Sequence, residues 1–193
     1  MSSCPDPGPG PVYFWREYDP EVGYLSQWYY CPFRDDKDER IMYKTAEHYM
    51  MFQKAKLFKD EDTAIAVLRA ESPRKVKSLG RKVKNFDEAT WLEHRRDIVR
   101  HGNILKFTHA ISEKDCKKGS PSGNSLDGSL LDTLLRTGDR ELVEASPFDP
   151  VWGIGFKAAD AEAAKGSWGE NLLGKELMAT RGILREKRDQ GQL

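Results

Sequence analysis

The chain has 193 residues, enough for one domain whose hydrophobic core needs no disulfide or metal to hold it together. Acidic and basic residues balance at 31 each, so no overall field draws the protein to nucleic acid or to a membrane surface, and a general nucleic-acid-binding role is disfavoured. The 3 cysteines lack C-x-x-C spacing and the 4 histidines lack an H-E-x-x-H pair, which disfavours a metal site and a disulfide framework. No apolar run approaches the roughly 20 residues of a membrane span, and residues 1–11 have no signal-peptide pattern. We therefore expect a cytosolic protein, with the nucleus left open as a location.

Helix-breaking residues crowd the N-terminus. Residues 1–11 contain four prolines and two glycines, which predicts a flexible arm. Residues 12–33 are rich in aromatic rings and are interrupted by Asp19, Pro20 and Gly23. This pattern indicates short strands or irregular segments and argues against a long helix.

Helical signals dominate from residue 45 onward. Capping residues and apolar spacing predict helices over 45–58 and 60–70, a third beginning at Ser72 and Pro73, and a long fourth over 87–107. The buried side of the second is predicted to be Ala64, Ile65, Val67 and Leu68, and the buried stripe of the fourth Trp91, Ile98 and Leu105.

The second half contains a loop, a short helix and a closing helix. Residues 112–128 are rich in Ser, Gly and Lys and predict a surface loop. A Leu-rich helix follows, then a Pro- and Gly-bounded loop, then an amphipathic helix with Leu173, Leu177 and Leu184 inward and a charged tail over 187–193. The predicted class is α+β: one predominantly helical domain over 12–186, with small β elements.

An acidic residue stands in an apolar helix start. In "YKTAEHYMMFQKAK", Glu47 follows the candidate cap Thr45 and lies among rings and methionines. The first turn of a helix favours negative charge, so Glu47 is either ordinary helix chemistry or a functional carboxylate beside an apolar pocket. Lys54 lies two turns further along the same face, where it either holds a phosphate, pairs with an acid or is a solvated surface residue.

A second unusual stretch is "ASPFDPVWGIG", residues 145–155. Its glycines, Gly153 and Gly155, permit close approach of the backbone, and Trp152 offers a flat face to a ligand. Asp149 precedes a proline and either shapes a turn or serves as a second carboxylate. Asn171 opens the last helix and is either its N-cap or a ligand contact.

These stretches together resemble one known family. "LSQWY", "TAEHYMMFQKA", "SPRKVKSLGRKV", "LLRTGDRELVEASPFDPVWGIG" and "WGENLLGKELMATR" resemble, in order and approximate spacing, the NADAR family, also called YbiA-like, from about Phe14 to Leu184. The resemblance implies an N-glycosidase that uses no cofactor. Bacterial members cleave early riboflavin-pathway intermediates, and others act on ADP-ribose-linked material such as ADP-ribosylated guanine.

The resemblance also implies site residues. Glu47 and Asp149 match the family's carboxylates and are the predicted catalytic residues. The family's S-N-x-Y is Ser26-Gln27-Trp28-Tyr29 here, an amide one methylene longer, which leaves the identity of the substrate open. The predicted substrate-binding set is Trp15, Ser26, Trp28, Tyr29, Lys54, Trp91, Glu144, Trp152, Gly153, Gly155 and Asn171. From their spacing alone, Trp91 and the N-terminal rings, including Trp15, Trp28 and Tyr29, are better explained as core residues than as a site that stacks a base.

Breaking a ribose C1–N bond builds positive charge on the sugar, which a nearby carboxylate stabilises while it orients or deprotonates the attacking water. Two function classes follow. One is a hydrolase of N-ribosidic bonds whose partner is a small ribosylated substrate or an ADP-ribosylated nucleic-acid base. The other is a non-catalytic module that binds ADP-ribose or a related nucleotide. The presence of both Glu47 and Asp149 favours the hydrolase, since a binding module needs no carboxylate beside C1.

Overall fold

The computed structural model describes residues 10–111 and 129–193, so most of the predicted N-terminal arm (1–11) and the whole predicted loop (112–128) lie outside the described residues. In chain order the described elements are β1 (Val12–Phe14), β2 (Phe33–Arg34), β3 (Met42–Tyr43), α1 (Ala46–Leu57), α2 (Glu61–Arg69), α3 (Pro73–Gly80), α4 (Glu88–Thr108), α5 (Leu130–Leu135), β4 (Leu142–Glu144), α6 (Ala158–Ala161) and α7 (Leu172–Asp189), with 3-10 turns at Gly23–Leu25 and Lys165–Ser167. The predicted α+β, predominantly helical class is confirmed. Within those ranges, no helix combines the length and apolar character that a membrane span requires.

The contacts divide the chain into two compact units. The terminal unit comprises Met1–Ser26 and Ser122–Leu193, and the central unit comprises Gln27–Pro121. The predicted limits of the domain, 12–186, stay a prediction.

Side-chain caps begin the four helices of the central unit. In each case the capping oxygen accepts a hydrogen bond from the backbone N–H three residues later, a contact that contributes about 1 kcal/mol per helix. The caps are Thr45, Asp60, Ser72 and Asp87. All four helix starts were predicted from these residue types, because an N-cap acts over a single turn.

Helix α1 lies at the centre of the central unit and packs against α2, α3 and α4. Its residues from Ala46 to Phe52 are all buried, and the rings of Tyr49 and Phe52 contact Tyr43 of β3. Strand β3 pairs with β2 in an antiparallel register, Phe33 opposite Tyr43. The Phe33 ring also contacts Tyr49, so these rings pack β2 and β3 against α1.

Two predicted buried stripes are only partly observed. On α2, Ala64 and Val67 are buried but Ile65 is 48% exposed, because a residue 100° further round the helix from Ala64 points away from α1. On α4, Leu105 is buried while Trp91 and Ile98 are half-buried. The first turns of α4 therefore do not lie in the core.

The terminal unit is built on a two-stranded parallel sheet. Strand β1 pairs with β4, with Val12 opposite Leu142 and Phe14 opposite Glu144. Helix α7 packs on β4 and buries the predicted residues Leu173, Leu177 and Leu184, which confirms its apolar stripe. The sheet and α7 together hold the loop that follows β4.

Candidate active site

Glu47 lies in the first turn of α1 with only 6% of its surface exposed. Its backbone N–H donates to the carbonyl oxygen of Gln27 at 3.0 Å, so this end of the helix is tied to the chain segment that opens the central unit. The orphan N–H groups of a helix start favour a negative charge there. Bulk water is largely excluded at this position, which strengthens the electrostatic effect of a carboxylate on any nearby charge.

The side chain after Glu47 supports the same turn. His48 is buried, its Nε2 lies 3.2 Å from the carbonyl oxygen of Ala70, and its Nδ1 lies 2.8 Å from Thr45 Oγ1. A carbonyl can only accept, so Nε2 carries the proton and Nδ1 accepts from the Thr45 hydroxyl. Burial lowers the pKa of His48, which keeps the ring neutral in the folded protein.

Lys54 lies beside the rings of Phe86 and Trp91. Lys54 Nζ donates to the carbonyl oxygen of Gly80 at 2.9 Å and stands 4.3 Å from the ring centroid of Phe86 and 5.2 Å from that of Trp91. Burial lowers the pKa of Lys54, and the charge of Glu47 opposes that change. Lys54 is therefore a half-buried cation within electrostatic reach of Glu47. We refer to Glu47, Lys54 and Trp91 as the Glu47 cluster.

The predicted segment Ser26–Tyr29 divides between the units. Ser26 is buried in the terminal unit, and its backbone N–H closes the 3-10 turn by donating to Gly23. Trp28 and Tyr29 belong to the central unit, where Trp28 is half-buried and Tyr29 is buried with Lys106 Nζ 5.7 Å from its ring centroid. Tyr29 is thus a core residue, and Trp28 keeps an accessible surface.

Asp149 shapes the turn after β4 in the terminal unit. Its Oδ1 accepts from the backbone N–H groups of Val151 at 3.0 Å and Trp152 at 2.8 Å, the geometry of an Asx turn. The carboxylate and the Trp152 ring are both half-buried. The turn interpretation of Asp149 is therefore observed, and its predicted catalytic role stays a prediction.

Close backbone packing holds this loop in place. A Cβ on Gly153 would lie 2.7 Å from the carbonyl oxygen of Glu144 and 2.9 Å from that of Asp149, so only glycine fits. Gly155 has a φ of +77°, the left-handed region that glycine tolerates. The N–H of Ile154 donates to the backbone carbonyl oxygen of Glu144 at 2.9 Å, which joins the loop to the end of β4.

Asn171 precedes α7 but does not cap it. Its φ of 50° is left-handed, and its side chain makes no cap hydrogen bond. Instead Nδ2 donates to the carbonyl oxygen of Leu142 at 2.9 Å, and Oδ1 accepts from the N–H of Glu144 at 3.0 Å. The predicted N-cap interaction is wrong, because β4 offers this amide both a buried acceptor and a buried donor.

Aromatic residues also border the Asp149 turn. Trp15 is half-buried, with its ring centroid 5.9 Å from that of Phe148 and the guanidinium of Arg16 3.8 Å above its ring. Phe148, the residue before Asp149, is itself 81% exposed, so the Trp15 ring packs against a surface residue. Trp15 is therefore not enclosed in the core.

A protein-family model described as the NADAR domain matches residues 13–185, nearly the whole chain. The chain belongs to the NADAR domain family. It is 38% identical to N-glycosidase R617 of Acanthamoeba polyphaga mimivirus over 164 residues, which cover 83% of this chain and 86% of that protein. It is 30% identical to riboflavin biosynthesis protein VVA0006 of Vibrio vulnificus over 176 residues, 91% of this chain but 39% of that longer protein.

A solved structure shows the same fold. The NMR structure of the Escherichia coli protein YbiA matches with a TM-score of 0.66 at 24% identity, over 93% of this chain and 87% of that one. The predicted resemblance to the NADAR, or YbiA-like, family is therefore confirmed.

The structure thus assembles the predicted NADAR site residues within two separate units. In the central unit, Lys54 feels the charge of Glu47 and stands 5.2 Å from the Trp91 ring centroid. In the terminal unit, Asn171 accepts through Oδ1 from the Glu144 N–H and donates its own N–H to the carbonyl oxygen of Gly153. Among the residues that the structure describes, no three His, Cys, Asp or Glu side chains are placed to hold a metal ion.

The surroundings of two residues, Phe148 and Lys106, could not be predicted from the sequence. Phe148 is an exposed ring whose only sequence signal is its position between two prolines, in the loop that carries Asp149. Lys106 is completely buried on α4, although its position in a charged helix gives no sign of this. Both depend on tertiary neighbours, which local patterns do not reveal.

Proposed function

We propose that this protein is an N-glycosidase that hydrolyses the bond between ribose C1 and the nitrogen of a base. The observation that carries the proposal is the Glu47 cluster: a buried carboxylate at a helix start, a half-buried ammonium whose pKa that carboxylate raises, and an indole ring 5.2 Å from the ammonium. The 38% identity to a viral protein named as an N-glycosidase supports the same reaction class.

The chemistry assigns a task to each member of the cluster. As the C1–N bond breaks, positive charge develops on the ribose ring, and the Glu47 carboxylate stabilises it. Glu47 also orients or deprotonates the water whose oxygen bonds to C1, while the departing base takes a proton on its nitrogen. A helix start favours a negative charge, and a negatively charged Glu47 in that position suits a base or an electrostatic stabiliser better than an acid.

Lys54 and Trp91 complete the proposal in the central unit. The Lys54 ammonium keeps a positive charge near Glu47 and is suited to an anionic substrate group such as a phosphate. Trp91 offers a partly exposed indole on which a planar base can stack. Trp28, also half-buried, is proposed for the same task.

Asp149 keeps the role that the sequence predicts as a separate proposal: a second carboxylate that binds ribose hydroxyls or shares the acid–base work. Trp15, Trp152 and Glu144 are likewise proposed as substrate contacts. The Asx turn gives the opposing interpretation of Asp149, and a pair of substitutions described below separates the two.

Two substrate classes are proposed. One is a ribosylated, phosphorylated intermediate of riboflavin synthesis, in line with the name of the Vibrio relative. The other is an ADP-ribosyl adduct such as ADP-ribosylated guanine. Both contain an N-ribosidic bond, a phosphate and a planar base, the three groups that the Glu47 cluster is suited to.

The test is a substrate panel with chromatographic detection of the freed base. The purified protein is incubated without added metal with 5-amino-6-ribosylaminouracil phosphate, with ADP-ribosylated guanine in DNA, and with NAD. We expect release of base from at least one of the first two. Tight binding of ADP-ribose with no turnover of any member would refute the hydrolase and support the binding module.

A further inference from the structure

Gln27 carries a buried amide that the fold leaves without partners. The residue is 9% exposed, and neither Nε2 nor Oε1 has a hydrogen-bond partner anywhere in residues 10–111 and 129–193. Folded proteins pair nearly all such groups, since an unmade buried hydrogen bond leaves the full cost of desolvation uncompensated. Gln27 offers two at once, a donor and an acceptor.

The amide belongs to the same part of the central unit as the proposed catalytic carboxylate. The backbone oxygen of Gln27 accepts the N–H of Glu47 at 3.0 Å, so the two residues are held side by side at the start of α1. Trp28, the next residue, is half-buried and leaves part of its indole accessible. A ligand group that pairs with the Gln27 amide therefore binds a residue whose backbone is hydrogen-bonded to that of Glu47, the residue proposed to act at ribose C1.

The chemistry of the amide limits what it can bind. A phosphate only accepts hydrogen bonds and would leave Oε1 buried and unpaired, whereas an ammonium only donates and would leave Nε2 unpaired. A vicinal diol satisfies both atoms, since one hydroxyl accepts from Nε2 while the other donates to Oε1. In a ribosyl substrate the 2′-hydroxyl adjoins C1, the atom that Glu47 is proposed to serve, and hydrogen bonds to this hydroxyl strengthen in glycosyl-transfer transition states.

We propose that Gln27 binds the 2′,3′-diol of the ribose and thereby makes the enzyme selective for ribosyl over 2′-deoxyribosyl substrates. This inference rests on the proposed function and deepens it, because it assigns the sugar-recognising group of that site. It also predicts an unusual trade-off, in which removing the amide harms activity without harming the fold. A buried, unpaired polar group that is kept for a ligand lowers the stability of the ligand-free protein, so its removal should not destabilise the fold.

The experiment compares Gln27→Met, which keeps the length of the side chain and removes both polar atoms, with the wild type. kcat/KM is measured on the riboside that the wild type cleaves and on its 2′-deoxy analogue. We expect the substitution to lower kcat/KM about 10-fold or more on the riboside and less than about 2-fold on the 2′-deoxy analogue. The Tm of the ligand-free variant should equal or exceed that of the wild type.

A matched control is Gln53→Met. Gln53 also carries a half-buried amide on α1, but its side chain hydrogen-bonds Tyr43. This variant should lower the Tm and leave the preference for the riboside unchanged. An equal loss on both substrates in Gln27→Met, or a Tm clearly below that of the wild type, would overturn the assignment, because the amide would then bind another part of the ligand or support the fold.

Binding separates this inference from the proposed function. ADP-ribose and 2″-deoxy-ADP-ribose, which lacks the hydroxyl beside C1 of the distal ribose, are titrated calorimetrically into the wild type and into Gln27→Met, a readout that needs no turnover. Loss of the preference for ADP-ribose in the variant supports the diol contact even if no substrate is cleaved and the N-glycosidase proposal fails. A wild type that cleaves a riboside but binds both nucleotides equally would refute the diol contact alone.

Discussion

Asn171 gives the sharpest prediction about the scaffold, because its side chain satisfies two buried backbone groups of β4. Replacing it with alanine leaves the Leu142 carbonyl and the Glu144 N–H without these bonds, at about 1–3 kcal/mol each. Alanine is further destabilised, by about 1 kcal/mol, because position 171 has a left-handed φ of 50°, which asparagine tolerates through local hydrogen bonds of its side chain and alanine does not. Asn171→Ala should therefore lower the free energy of unfolding by about 3–7 kcal/mol.

A second substitution separates the two contributions. Asn171→Gly loses the same hydrogen bonds but tolerates the left-handed φ, so it should be about 1 kcal/mol more stable than Asn171→Ala. The free energy of unfolding of each variant is measured by urea denaturation, followed through the fluorescence of Trp152 and Trp168, which lie in the same unit as Asn171. An Asn171→Ala variant within about 1 kcal/mol of the wild type would refute the claim that this amide holds β4 and the start of α7 together.

Three other substitutions test individual site residues. Asp149→Asn keeps the Oδ1 acceptor of the Asx turn, whereas Asp149→Ala loses it, so the Tm should fall only in the alanine variant. If catalysis needs the charge of Asp149, the rate of base release should fall in both variants. Burial lowers the pKa of His48, so on acidification the unfolded chain binds this proton before the folded protein does. The free energy of unfolding should therefore fall, by up to about 1.4 kcal/mol per pH unit, as the pH drops below about 6.5. The difference in unfolding free energy between wild type and His48→Gln should show this slope, and its absence would contradict a buried neutral imidazole. Lys54→Met keeps the packing over the Phe86 ring but removes the charge, so KM for a phosphorylated substrate should rise about 10-fold, and an unchanged KM would exclude a phosphate contact.

Local features of the fold could be predicted from the sequence. The caps Thr45, Asp60, Ser72 and Asp87 act within one turn, and the apolar stripe of α7 repeats along a single helix, so both are visible in a short window of residues. The place of Glu47 in the first turn of α1 follows from the same reasoning. Short stretches of sequence therefore identified the helix starts and the buried face of α7 correctly.

Contacts between distant residues could not be predicted. The amide of Asn171 has the composition of an N-cap, but its partners lie 27 and 29 residues earlier on β4. The exposure of Ile65 depends on which side of α2 faces α1, which its own segment does not determine. The orphan amide of Gln27 is recognised only when every neighbour is known, because it is defined by partners that the fold does not supply.

The central claim is that the Glu47 carboxylate drives cleavage of the C1–N bond. The most direct test compares Glu47→Gln with Glu61→Gln, a matched control in the first turn of α2 whose carboxylate is exposed and paired with Lys56 at 2.6 Å. Single-turnover release of base should fall at least about 100-fold in Glu47→Gln while the affinity for ADP-ribose changes little, and Glu61→Gln should match the wild type. Release at the wild-type rate by Glu47→Gln would contradict the account.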